Sequence, residues 1–171
     1  MPACAGTCSD HTTHRLIGAA LALQPTLRQR LRLIAKVGIV LPSAVQPQPN
    51  NYHYDSSAVG LRKAIATSFR DLGVERIDLL LLHRMDFLMR PEQVAEVLQP
   101  MLADVRIGGF GVSDSSAVQL DLMAAHLPVV AHQFELSVRQ TRALDDGTHA
   151  HSQLHRAPVQ QRRCSSSANA E

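Results

Sequence analysis

The sequence predicts an α/β protein built on a parallel sheet. Three observations carry this reading: apolar runs that do not alternate, capped stretches with helical spacing, and the regular succession of the two along the chain. A strand–helix–strand–helix–strand–helix–strand order requires right-handed crossovers, and crossovers make neighbouring strands parallel.

The elements follow in order. Leu16 to Leu23 predicts a short helix, and "LRLIAKV", residues 31 to 37, predicts a strand closed by Gly38. Residues 41 to 55 carry Pro42, Pro47 and Pro49 and two asparagines, so they are expected to cross the surface without regular structure. Ser56 or Ser57 then caps a helix whose Ala58, Leu61, Ile65, Phe69 and Leu72 share one face and which stops at Gly73. Ile77 to Leu82 is apolar apart from Asp78, which is how a parallel strand covered on both faces reads. Pro91 opens the next helix, with Val94, Val97, Leu98, Met101 and Leu102 facing inward. "IGGFGVS", residues 107 to 113, is the third strand. Ser115 or Ser116 caps a helix expected to bury Val118, Leu122 and Ala125, and Pro128 leads into "VVAHQFEL" as the fourth strand.

Composition narrows the function classes. A chain of 171 residues with 45% hydrophobic and 19% charged residues and a formal charge of +2 is an ordinary globular chain with room for one core. Its basic residues form no stripe, so no nucleic-acid partner is expected. No apolar run is long enough to cross a membrane and the start has no signal-peptide core, so the expected location is cytoplasmic. Cys4, Cys8 and Cys164 make no disulfide framework. Neither Cys4, Cys8, His11 and His14 nor His149, His151 and His155 have the spacing of a metal site. No G-x-G-x-x-G follows a predicted strand, which removes support for a Rossmann dinucleotide site. Residues 159 to 171 hold almost no large aliphatic side chains and are expected to be disordered, as are residues 1 to 15.

In α/β sheets and barrels the chemistry sits beyond the carboxyl ends of the strands. Here those ends carry Lys36, His83, Ser113 with Asp114, and then His132, Gln133 and Glu135, so four strands bring polar groups to one rim. Asp78, early in its strand, belongs to the opposite, structural end. Arg84 reads as a solvated loop charge, and Met85, Met89 and Met101 as core filler.

The strings "RLIAKVGI", "NYHYDSSAVGLRKAIATSFRDLGVERIDLLLLHRMD", "IGGFGVSDSS" and "HQFELS" resemble the aldo-keto reductase family, especially its bacterial oxidoreductase branch, over about residues 16 to 158. The resemblance implies a (β/α)8 TIM barrel, of which this chain holds about four βα units, and NADPH-dependent reduction of an aldehyde or ketone to an alcohol. It puts Lys36 at the family's lysine position and His83 at its substrate-orienting histidine. Ser113 and Gln133 match positions that hold the nicotinamide amide, and Asp114 stands where the family usually has asparagine. The family's catalytic aspartate and tyrosine fall in a window that here reads "ACAGTCSDHTTHR", without tyrosine. Tyr54 matches the family's "HYD" loop tyrosine and not its acid.

A complete barrel takes roughly 250 residues, so the expectation is a chain truncated at both ends, with unpaired barrel edges that favour self-association. Two alternatives accompany the reductase reading: a catalytically inactive remnant, and a non-catalytic binding or regulatory barrel module.

Overall fold

The computed structural model describes residues 12–41, 52–135 and 137–139. Four strands form the sheet: β1 (Ile34–Val37), β4 (Leu79–Leu82), β5 (Phe110–Ser113) and β6 (Val129–Gln133), all parallel and side by side in that order. Helix α3 (Ala58–Leu72) connects β1 to β4, α4 (Pro91–Ala103) connects β4 to β5, and α5 (Ala117–Ala124) connects β5 to β6. Sequential strand order with a helix at each step is a stretch of barrel wall.

Alternation along the strands sorts the side chains into two faces. Ala35, Val37, Leu80, Leu82, Phe110 and Val112 turn outward into the core shared with Leu61, Ile65 and Leu72 of α3 and with Val94, Val97 and Leu98 of α4. The inner face holds Lys36, Leu81, Gly111 and Ala131 at one level of the register, with His83, Ser113 and Gln133 one level above. Gly111 is required here, because a Cβ would lie 2.5 Å from the Ala131 carbonyl oxygen.

The caps are as expected for α3, where the Ser57 side chain accepts from the Gly60 amide and Gly73 closes the helix in the left-handed region at φ 63°. Helix α5 takes the second of its two candidate caps: Ser116 and Gln119 form a reciprocal capping box.

Four expectations need correction. The first helix, α1 (Thr12–Leu23), starts before Leu16, so residues 12 to 15 do not belong to an unstructured segment; buried His14 extends the inward face formed with Ile17 and Leu21. A histidine on the buried face hid that turn. Residues 41 to 55 are not wholly irregular, since β2 (Ile39–Val40) pairs antiparallel with β3 (His53–Tyr54), a contact too short to leave a periodic signal. A single-turn helix, α2 (Leu27–Arg30), was not foreseen. In α5, Val118, Leu122 and Ala125 face solvent while Leu120 and Met123 are buried. The sequence "AVQLDLMA" is apolar nearly all round, so its pattern selects no face and the capping box fixes the phase instead.

The strand expected over residues 31 to 37 is regular from Ile34, with Leu33 still accepting from the Asp78 and Leu79 amides. The expected disordered tail and the Cys4, Cys8 and His11 group lie outside the described residues. Among the described residues no group of three His, Cys, Asp or Glu could hold a metal ion, and no helix is long and apolar enough to cross a membrane.

Candidate active site

Strand ends supply the rim. The backbone ladder continues one residue past β4, where the His83 amide donates to the Val37 carbonyl at 2.8 Å, so His83 stands on a rigid support. The residue is only 7% exposed. Burial first, then the positive charges of Lys36 and Arg84, hold its pKa down at about 4, against a smaller opposing effect of Asp114. His83 is therefore a neutral imidazole at physiological pH.

Lys36 reaches from β1 across β4 and donates from Nζ to Ser113 Oγ on β5 at 3.3 Å. Ser113 is buried, and beside it in register stands Gln133, whose Oε1 is buried with no hydrogen-bond partner. The rim thus brings together four of the residues anticipated from sequence, Lys36, His83, Ser113 and Gln133. Glu135 is exposed beyond them.

Asp114 completes the turn after β5 in the left-handed region at φ 48°, a conformation that Asp and Asn adopt more readily than other non-glycine residues. The turn is held from three sides. The Asp114 amide donates to the Gln133 carbonyl at 2.8 Å, the Ser115 hydroxyl to the Ser113 carbonyl at 3.2 Å, and the Ser115 amide to Nε2 of buried His132 at 3.1 Å.

Arg84 is more than a solvated charge. Its Nε lies 3.7 Å from Asp114 Oδ2, and a hydrogen bond to Tyr54, with the Asp114 charge assisting, raises its pKa further. The Asp114 charge therefore faces a cation. Tyr54 in turn accepts from the Tyr52 hydroxyl at 3.1 Å. His132 was expected at this rim; Arg84 and Tyr54 were not anticipated as members of it. The one sequence signal was Asp114 itself, an acid where the resembling family has an amide.

Another concavity, lined by Arg76, Arg106 and their neighbours, opens at the amino ends of the strands, away from these groups.

A parallel sheet wrapped by helices, with a polar cluster on its carboxyl rim, has the layout of an enzyme barrel. The Aldo/keto reductase family model matches residues 4–148, and this chain belongs to that family. It is 38% identical over 140 residues to the oxidoreductase YcsN of Bacillus subtilis, covering 81% of this chain and 47% of the relative. It is 29% identical over 145 residues to a 6-dehydroglucose reductase of Agrobacterium fabrum, covering 84% and 49%. Among solved structures, a glycerol dehydrogenase from Gluconobacter oxydans superposes with a TM-score of 0.66 at 27% identity, covering 76% of this chain and 38% of that one. An aldo-keto reductase from Bacillus halodurans, solved in its holo form, has the same TM-score at 20% identity, covering 78% and 42%, and supports the fold alone. The chain spans about half the length of the curated relatives it matches. The fold is an α/β partial barrel of the aldo/keto reductase type.

Proposed function

We propose that the carboxyl rim binds NADPH and a small carbonyl compound in the cytoplasm and reduces the aldehyde or ketone to an alcohol. The observation that carries this reading is the Lys36–Ser113–Gln133 row beside a neutral, buried His83, in a chain of the aldo/keto reductase family.

The row fits the nicotinamide end of the cofactor. A carboxamide offers both an amino group and a carbonyl, and here a buried hydroxyl and an unpaired buried carbonyl oxygen, Ser113 Oγ and Gln133 Oε1, stand side by side to meet it. When bound, that cofactor supplies the hydride. The Lys36 ammonium places a positive charge where negative charge grows on the carbonyl oxygen, and the His83 imidazole offers a donor that fixes that oxygen without being protonated itself. Asp114, paired to Arg84, holds the turn that carries Ser113 to the cofactor position.

The test is a titration of the purified chain into NADPH, followed by quenching of cofactor fluorescence, with Lys36→Ala alongside. Saturable binding in the micromolar range that weakens at least about tenfold in the variant is expected. A folded chain that binds no NADPH refutes the reading.

A further inference from the structure

We infer that Asp114 sets which redox form of the cofactor this rim prefers: its carboxylate offsets the Lys36 charge and lets the row hold an oxidised, positively charged nicotinamide as well as a reduced, neutral one. This rests on the reductase reading above.

The groups along the rim alternate in charge. Lys36 Nζ donates to Ser113 Oγ at 3.3 Å, and on its other side that hydroxyl lies 3.5 Å from Asp114 Oδ2. Beyond comes Arg84, whose Nε is 3.7 Å from the same carboxylate oxygen. The order is cation, hydroxyl, anion, cation. An ammonium only donates and a carboxylate only accepts, so the Ser113 hydroxyl takes a hydrogen bond from Lys36 and turns its own proton toward Asp114. Ser113 stands between a positive and a negative group, one contact from each.

The second cation does not cancel the anion. The Arg84 side chain is 53% exposed against 26% for Asp114, so water screens the guanidinium more than the carboxylate it faces. His83 brings no charge, and Glu135 is exposed beyond the row. Among the described residues, Asp114 is therefore the negative charge that answers Lys36 at Ser113. Without it, the rim would set two cations against whatever Ser113 holds.

The nicotinamide ring is the part of the cofactor whose charge changes in the reaction. Oxidised, it carries one positive charge; reduced, it carries none. The carboxamide is bonded directly to that ring, and Ser113 Oγ is the atom read above as a partner of the carboxamide. A charge beside Ser113 Oγ consequently acts on the oxidised form and leaves the reduced form nearly untouched. Aspartate and asparagine are close in size and both tolerate the left-handed turn at φ 48°, so exchanging one for the other here changes charge and little else.

The test is calorimetric titration of the full chain with NADP⁺ and, separately, with NADPH, in wild type, Asp114→Asn and Arg84→Gln, without any turnover. Asp114→Asn is expected to weaken NADP⁺ about three- to tenfold and to leave NADPH within about twofold, the size of effect a unit charge has at a rim open to water. Arg84→Gln is expected to act in the opposite sense, tightening NADP⁺ about twofold relative to NADPH, because it unmasks the carboxylate. A turn merely loosened by substitution would weaken both forms together; only a charge acts on their ratio. A ratio of the two affinities that is the same in all three proteins, with both forms bound, overturns the inference and leaves the reductase reading standing. A folded wild-type chain that binds neither form refutes the reductase reading, and this inference with it.

Discussion

The two ends of the sheet treat charge in opposite ways. At the amino end, Asp78 accepts from the Leu33 amide at 2.8 Å and pairs with Arg28 at 3.0 Å and Arg32 at 3.5 Å. Burial raises its pKa, but that amide and the two arginines outweigh burial and bring it below the ordinary carboxylate value. At the carboxyl end, burial and then two neighbouring cations hold a histidine neutral, an acid sits in the left-handed region, and a glutamine oxygen has no hydrogen-bond partner. One end is organised to stabilise; the other keeps polar groups incompletely satisfied, the condition in which a ligand gains by binding.

The sharpest break comes from Asp78→Ala, which strands the Leu33 amide and removes the carboxylate partner of part-buried Arg28. It should cost about 3 kcal/mol of unfolding free energy, read as a shift in denaturant midpoint. Lys36→Ala at the other end should cost far less stability, within about 1 kcal/mol, while weakening cofactor binding at least about tenfold. Equal stability losses in the two variants would erase the contrast.

Acid separates the ends next. His83 titrates at about 4 when folded and at about 6.5 when unfolded. Between those values the unfolded chain takes up a proton that the folded chain refuses, so stability is full above about pH 6.5 and falls as pH drops toward 4, by about 3 kcal/mol in total. His83→Gln should remove that slope. Asp78 works in a lower window: its depressed pKa contributes stability above the ordinary carboxylate range, lost only as pH falls through the folded value. Urea midpoints across pH 7 to 3 for wild type and His83→Gln resolve the two windows.

The smallest effect is expected at Asp114. Asparagine also tolerates the left-handed turn, and the ion pair it removes is a partly exposed one at 3.7 Å, so Asp114→Asn should change stability by less than about 0.5 kcal/mol. Because Asp114 raises the His83 pKa, its loss should move the His83 titration lower still, visible by NMR. Asp114→Val, a branched side chain forced to positive φ, should cost about 1–2 kcal/mol.

Much of this was legible in the amino-acid order. Strands such as Leu79–Leu82 announce themselves because a strand buried on both faces needs consecutive apolar residues, and Ser57 and Gly73 mark the ends of their helix by cap chemistry. The polar residues at strand ends predicted the rim, since topology alone carries them there. What was hidden depends on distance in three dimensions. Arg84 meets Tyr54 and Asp114, thirty residues away on either side, and no local period encodes that meeting. The buried face of α5 was illegible for the opposite reason: its apolar residues point everywhere, and only Ser116 with Gln119 selects a phase.

Lys36 also serves as a gauge of shape. Its strand and that of Ser113 are separated by β4, so in a flat sheet their backbones would stand about 10 Å apart with parallel, upright side chains. The 3.3 Å contact between ammonium and hydroxyl therefore records how far the wall has rolled inward. If the sheet flattens, as when edge strands from several chains stack into a fibril, the two backbones move apart and the contact is strained. Slow reductive methylation at Lys36 would then certify a chain that has kept its curvature, and fast methylation would flag one that has begun to unroll.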